Sequence, residues 1–119
     1  GDLNYVNQKY VRSDEARAAE DMAAGLPFAA ELRGLLAEYR AEETAEALIA
    51  HDADQLEMLL ELKEHLDRGV QGAADWTPFV LRRLRTENAQ HLARRILDGD
   101  SSSWWFDRGS EWWVRGGKG

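Results

Sequence analysis

The stretch TAEALIAHDADQLEMLLELKEHLDR, residues 44–68, is the longest uninterrupted helical pattern in the chain. It is rich in Ala, Leu, Glu and Met, the residues that lose least conformational entropy in a helix. No glycine or proline interrupts it, and at 3.6 residues per turn it makes about seven turns. The sequence therefore predicts one long helix around which the rest of the chain is arranged.

Two acids interrupt the apolar pattern in the middle of this helix. Leucine and isoleucine side chains form one broad stripe at 100° per residue, and Asp52 lies inside that stripe. The pattern nominates Asp52 as a buried functional acid, and equally as a structural acid that accepts from a backbone donor or an arginine. Asp54 points nearly opposite, beside Ala50 and Met58. That side of the helix is either covered, as in the middle of a bundle, or exposed to solvent.

Shorter helices are predicted before the long one, and residues 1–12 are predicted to be a loop or a short extended piece. Ser13 is a suitable N-cap for a helix that ends at about Ala24. Pro27 suits the first turn of the next helix. An amphipathic stripe marks that second helix, formed by Phe28, Leu32, Leu35, Leu36 and Tyr39.

After a loop at residues 69–75, one further helix is predicted. Thr77 and Pro78 form an N-cap and first-turn pair, and the helix extends to about Leu97. Its inward positions are predicted to be Leu81, Leu84, Leu92 and Ile96. Because no segment shows sustained strand alternation, the predicted class is all-α.

Composition excludes several functions. The net charge of −7 disfavours nucleic-acid binding through phosphate contacts, and no apolar run approaches the ~20 residues that cross a bilayer. With no cysteine the chain cannot form disulfides, zinc–thiolate sites or a thiol nucleophile. The three histidines lack metal-site spacing, and the serines at 101–103 lack a nucleophile motif. A cytoplasmic location is compatible with these features.

Three stretches resemble the HD-domain metal-dependent phosphohydrolases, most closely the branch that includes the 5′-deoxynucleotidases. They are GDLNYVNQKYV at 1–11, LPFAAELRGLLAEYRAEETAEA at 26–47 and AHDADQLEMLLELKEHLDRG at 50–69. The resemblance covers about residues 1–97 and implies a helical bundle of the HD type. It implies that residues 1–98 are the C-terminal part of an HD domain, followed by a Trp-rich tail at 99–119.

The resemblance also implies site residues. Asp54 matches the family's last metal ligand, in Ala53-Asp54-Gln55-Leu56-Glu57, and Asp2 matches the catalytic acid beside the substrate and the attacking water. The implied cofactor is a divalent cation: Mn, Co, Fe, Ni, Zn or Mg. His51-Asp52 is a His-Asp dipeptide but lacks the residues that follow the family's His-Asp motif, so the other ligands are expected before Gly1.

The implied activity is therefore hydrolysis of a nucleoside monophosphate or another small phosphate ester by the intact domain, with this piece inactive alone. A homo-oligomer, or a complementary chain supplying the missing helices, is the expected partner; nucleic acid and membrane are not. The alternative is a non-catalytic helical interaction module, favoured by the doublets Trp104-Trp105 and Trp112-Trp113. Burial of Trp104 and Trp105 by a folded-back tail is the preferred expectation for them.

Overall fold

The structure, a computed structural model, describes residues 6–111, and the chain divides into two compact units, residues 1–47 and 48–119. Over the described residues the regular structure is helical, which confirms the predicted all-α class. A 3₁₀ helix at Asn7–Lys9 is followed by α1 (Glu15–Ala23), α2 (Ala29–Ala41), α3 (Ala45–Asp67), α4 (Gly72–Arg83) and α5 (Glu87–Asp98). Within the described part of the stretch predicted as a loop or short extended piece, the chain forms this 3₁₀ turn, because Tyr10 and Val11 both donate backbone hydrogen bonds to the carbonyl of Asn7.

In the first unit, α1 and α2 pack against each other and are joined by a short connection at residues 24–28. The N-cap of α1 is Asp14, one residue later than predicted, and it accepts a hydrogen bond from the backbone N–H of Arg17 at 3.0 Å. Gly25 allows the turn because its φ is +79°. Of the predicted stripe on α2, Phe28 and Leu35 are more than half exposed, so this helix buries a narrower face than its pattern indicates.

The long helix predicted at 44–68 is confirmed as α3. Thr44 caps it: its hydroxyl oxygen accepts from the N–H of Ala47 at 3.2 Å and its O–H donates to Glu38 at 2.6 Å. The helix ends just before Gly69, which adopts a φ of +82° that favours glycine. Composition and these two end signals together fix the element.

The single helix predicted from Thr77 to Leu97 is wrong: the chain forms two helices that are separated at residues 84–86. Thr77 and Pro78 lie inside α4, where the Thr77 hydroxyl donates to the carbonyl of Ala73 at 3.1 Å. Leu84 is extended, with a ψ of 129°, and Thr86 is the true N-cap, accepting from the N–H of Ala89. The break is stabilised by a residue far away in sequence, which local pattern cannot show.

The core of the second unit is small and mixes large aliphatic residues with alanines. Leu59 of α3 and Val80 of α4 are fully buried, and the alanines of α5 allow close approach of its backbone. The buried cluster consists of Leu59, Val80, Leu84, Ala89 and Ala93. Leu92, predicted to point inward, is 50% exposed, because Ala89 and Ala93 form the buried face of α5 instead.

The expectation that Trp104 and Trp105 pack inward is also wrong. Trp104 is 85% exposed and Trp105 is 53% exposed, although both belong to a hydrogen-bonded turn after α5. Trp105 contacts Phe106, with ring centroids 5.5 Å apart, instead of the helices. Trp112 and Trp113 lie outside the described residues. Among residues 6–111 there is no helix long and apolar enough to cross a bilayer.

We predict that Leu59→Ala lowers the free energy of unfolding by about 2–5 kcal/mol, because it leaves a cavity in a small core. Leu35→Ala removes the same atoms from a side chain that is 58% exposed and is the matched control, expected to change stability by less than about 1 kcal/mol. Urea unfolding followed by circular dichroism measures both. Equal losses would contradict the position assigned to Leu59.

Candidate functional site

Asp54, the predicted metal ligand, lies in the middle of α3 with its side chain in solvent. Its Oδ2 accepts a hydrogen bond from Nε2 of the adjacent Gln55 at 3.2 Å. The oxygen of the same amide, Gln55 Oε1, is buried and has no hydrogen-bond partner among the described residues. Asp2, the predicted catalytic acid, lies outside the described residues. The structure therefore shows Asp54 accessible to a ligand, and its metal-binding role stays a prediction.

Asp52, two residues earlier, is the buried acid: only 3% of the residue is exposed. Its Oδ1 accepts from the backbone N–H of Arg85 at 2.7 Å. Its Oδ2 accepts from the backbone N–H of Thr86 at 2.8 Å and from the Thr86 hydroxyl at 2.6 Å. Both carboxylate oxygens thus accept hydrogen bonds from the connection between α4 and α5. Of the two alternatives for Asp52, the structural acid satisfied by backbone donors is confirmed.

The geometry around Asp52 follows from how a helix begins. The first N–H groups of α5 and the N–H groups of the preceding turn have no helical acceptor. Thr86 satisfies one, since its hydroxyl oxygen accepts from the N–H of Ala89 at 3.3 Å. Asp52 accepts hydrogen bonds from the N–H groups of Arg85 and Thr86. It also orients the Thr86 hydroxyl by accepting a hydrogen bond from it. A carboxylate at a helix N-terminus also interacts favourably with the helix dipole.

The ionisation of Asp52 is set by opposing effects. Burial acts to raise its pKa, but the hydrogen bond from the Thr86 side chain, the two backbone N–H donors and the positive charge of Arg85 together hold the pKa below its ordinary value. Asp52 is therefore a carboxylate whose hydrogen-bonding capacity is committed to the fold. Because the residue is only 3% exposed, a cation in solvent cannot reach this carboxylate without opening the α4–α5 connection.

Thr86 is the residue that sequence interpretation missed. The signal was present, since a Thr followed directly by an acid, Thr86-Glu87, is a helix N-terminus signature. The pair Thr77-Pro78 carried a stronger local signature and placed the helix start nine residues too early. The hydrogen bonds from Thr86 to Asp52, 34 positions away in sequence, distinguish Thr86 from Thr77 as the N-cap of the helix.

A second carboxylate anchors the turn that follows α5. Asp67 accepts from Lys63 Nζ at 2.6 Å and from the backbone N–H of Ser101 at 2.8 Å. The hydrogen bond from Lys63 and that from the Ser101 N–H lower the pKa of Asp67 to about 2. The start of the Trp-rich segment is thereby attached to the end of α3.

A divalent cation, as the resemblance implies, requires several His, Asp or Glu side chains around one point. Within residues 6–111 no three such side chains come together in a way that could hold a metal ion. His91 lies over Glu87 of its own helix, with Nε2 3.6 Å from a carboxylate oxygen. The described residues therefore do not fit a complete metal site, and Asp54 is a single candidate ligand.

We predict that Asp52→Asn lowers the free energy of unfolding by about 2–4 kcal/mol, because an amide group would face donors that a carboxylate now satisfies. Asp54→Asn makes the same chemical change two residues later on an exposed side chain and is expected to cost less than about 0.5 kcal/mol. Urea denaturation of the pair measures the difference. Equal stabilities of the two variants would contradict the assignment of the buried role to Asp52.

We predict that acid weakens the contribution of Asp67. The pKa of Asp67 is lowered from 3.8 to about 2 in the folded chain. The carboxylate therefore stabilises the fold at pH values above its ordinary pKa, and that stabilisation is lost as the pH falls from about 4 to 2. The difference in urea midpoint between the wild type and Asp67→Asn should shrink over this range. Asp98→Asn controls for the removal of one exposed acid, and a pH-independent difference at Asp67 would contradict the linkage.

The family model of the HD domain matches residues 1–94. The match spans α1 to α4 and most of α5, and so includes Asp52, Asp54 and Thr86. No curated protein matches the chain significantly, and no solved structure does either. HD domains constitute a superfamily of metal-dependent phosphohydrolases, and their helical architecture agrees with the all-α fold. This chain belongs to the HD-domain family.

Proposed function

We propose that this chain is the C-terminal portion of an HD phosphohydrolase of the 5′-deoxynucleotidase-like branch, located in the cytoplasm. In the intact domain it would act on a nucleoside monophosphate or a similar small phosphate ester. The observation that carries the proposal is that two acids on α3 have different environments. Asp54, in the stretch that resembles the family's ligand motif, is exposed, while the neighbouring acid Asp52 is committed to the fold.

The hydrogen bonds that Asp52 accepts from the α4–α5 connection are also relevant to the family's His-Asp motif. His51-Asp52 is the dipeptide of that type in the chain, but three donors at 2.6–2.8 Å already occupy both oxygens of Asp52. A metal-binding aspartate needs an oxygen that the cation can reach, and Asp52 is only 3% exposed. This supports the view that the His-Asp pair of the intact domain comes from residues upstream of this chain, or from a complementary chain.

The surroundings of Asp54 support the same view. Gln55 Nε2 holds one oxygen of Asp54, while the buried Gln55 Oε1 lacks a donor among the described residues. An unsatisfied buried oxygen costs about 1–3 kcal/mol, so a donor from outside the described residues would stabilise this side of α3. Residues that brought further ligands to Asp54 could supply that donor.

Each residue of this chain would have a limited role in the reaction. Asp54 would hold the cation together with ligands not in this chain, and the cation would polarise the phosphate ester when bound. Asp2 would orient or deprotonate the attacking water. Because the described residues do not assemble the metal site, these roles require the intact domain.

We predict that the 119-residue chain with Mn²⁺ or Co²⁺ releases no phosphate from a deoxynucleoside monophosphate above the metal-only background. The protein extended by its upstream sequence should release phosphate, and Asp54→Asn in that protein should reduce the rate by about 100-fold or more through loss of a ligand. Asp98→Asn makes the same chemical change at an exposed acid of α5, outside the ligand stretch; it is the matched control and should retain activity. Robust turnover by the short chain would refute the need for outside ligands.

The second candidate function is a non-catalytic interaction module, and one observation favours it. Trp104 is 85% exposed on a hydrogen-bonded turn, and exposed aromatic side chains often anchor protein partners. Activity in the extended protein that survives Asp54→Asn, or no activity with any divalent cation, would favour this candidate over the phosphohydrolase.

A further inference from the structure

Two depressions with largely apolar walls follow one another along α3 and α5 in the second unit. Their α3 side is formed at helical spacing by Ile49, Ala53, Leu56 and Leu60, and their α5 side by Leu92 and Ile96. From Ile49 to Leu60 they extend over about 16 Å at 1.5 Å per residue. Ile49, Leu60 and Leu92 are each at least 50% exposed. These residues define what we call the α3–α5 groove.

Trp104 projects beside one end of the α3–α5 groove, where it borders the same depression as Leu60 and Ile96. Hydrogen bonds hold the turn that carries Trp104. Asp100 accepts from the N–H and hydroxyl of Ser102, and the Ser102 carbonyl accepts from the N–H of Trp105 and Phe106. Asp67 holds the Ser101 N–H. A large aromatic side chain is thus presented to solvent on a fixed support, which lowers the entropic cost of binding.

The opposite end of the groove carries a depression of about 370 Å³. Its apolar walls come from Ile49, Ala53, Leu56, Ala89 and Leu92. One face of the molecule therefore carries an exposed aromatic projection at one end and an apolar depression at the other. A patch with this arrangement is complementary to itself under a two-fold rotation, which is the requirement for an isologous dimer.

We propose that the α3–α5 groove is a two-fold interface between two copies of this chain. Trp104 of each copy enters the depression at the Ile49 end of the other copy. The two-fold axis crosses the groove midway between these features, near Leu56, so Leu60 of each copy lies about one turn of α3 from the axis. Trp104 is the main anchor, as buried aromatic side chains are in protein interfaces.

The area available suits a second copy. Most of the roughly 150–250 Å² that an aromatic side chain can bury is exposed at Trp104. Two Trp104 side chains and the half-exposed aliphatic residues of both grooves give an apolar centre to an interface that needs about 800 Å² per partner. Because each copy carries a net charge of −7, association is driven by apolar contact against charge repulsion, and salt should strengthen it.

The position of Asp54 indicates that the second copy in the α3–α5 groove and the helices that would complete the active site bind different sides of α3. At 100° per residue, Asp54 lies 160° around α3 from Leu56 and 120° from Leu60. Ligands that meet a cation at Asp54 approach α3 from the side away from the groove. The inference about the direction from which these ligands approach rests on the proposed function. The groove, the exposed Trp104 and the depression are independent of that function.

Sedimentation equilibrium of the full chain tests the proposal. We expect a mass approaching twice 13.5 kDa as concentration rises, with tighter association at higher salt. Leu60→Lys and Trp104→Ala should each weaken association at least about tenfold. Leu35→Lys alters a leucine of similar exposure on α2 and should leave association unchanged. A monomer at every concentration, or a dimer insensitive to both groove variants, would overturn the interface.

Cross-linking locates the axis independently. The chain has no cysteine, so Leu60→Cys introduces a single thiol, and a short bis-maleimide should join two copies efficiently. Leu35→Cys is the control and should remain monomeric on denaturing gels. Equal cross-linking of both variants would refute the proposed geometry. Neither readout involves phosphate release, so a failure of the dimer and a failure of the proposed hydrolase activity are distinguishable.

Discussion

The carboxylate of Asp52 and the α4–α5 connection form the interaction on which the second unit depends. Three donors within 2.8 Å converge on one side chain with 3% exposure. Without that acceptor the N–H groups of Arg85 and Thr86 would lose their partner, and the chain could continue as one helix through residues 84–86. By ending α4 and starting α5, Asp52 places Leu84 and Ala89 in the same core.

The same interaction explains why one of two nearby acids on α3 is buried and the other is exposed. Asp52 is buried because its donors compensate the cost of removing a charge from water, whereas Asp54, on another side of α3, needs no such compensation. The family match extends over both positions. Fold stability and the proposed metal chemistry are thus assigned to neighbouring residues that do not compete for one carboxylate.

How much could be predicted from sequence depended on the range of the interactions involved. The bounds of α3 followed from composition, Thr44 and Gly69, all of which act locally. Burial of Asp52 followed from helical periodicity, but its role did not, since its donors lie 33–34 residues away. The break before Thr86 was missed for that reason. Trp104 was assigned to the core by its size, yet its turn is held by Asp67 and Asp100 and leaves the ring in solvent.

Amide hydrogen exchange at Arg85 and Thr86 tests the central claim most directly. These two N–H groups lie outside any helix ladder, so a turn without a strong acceptor would exchange them quickly. If Asp52 accepts from both, they should exchange as slowly as the core amide of Ala93, and Asp52→Asn should remove that protection while Asp54→Asn leaves it intact. Fast exchange at Arg85 and Thr86 in the wild-type chain would contradict the account.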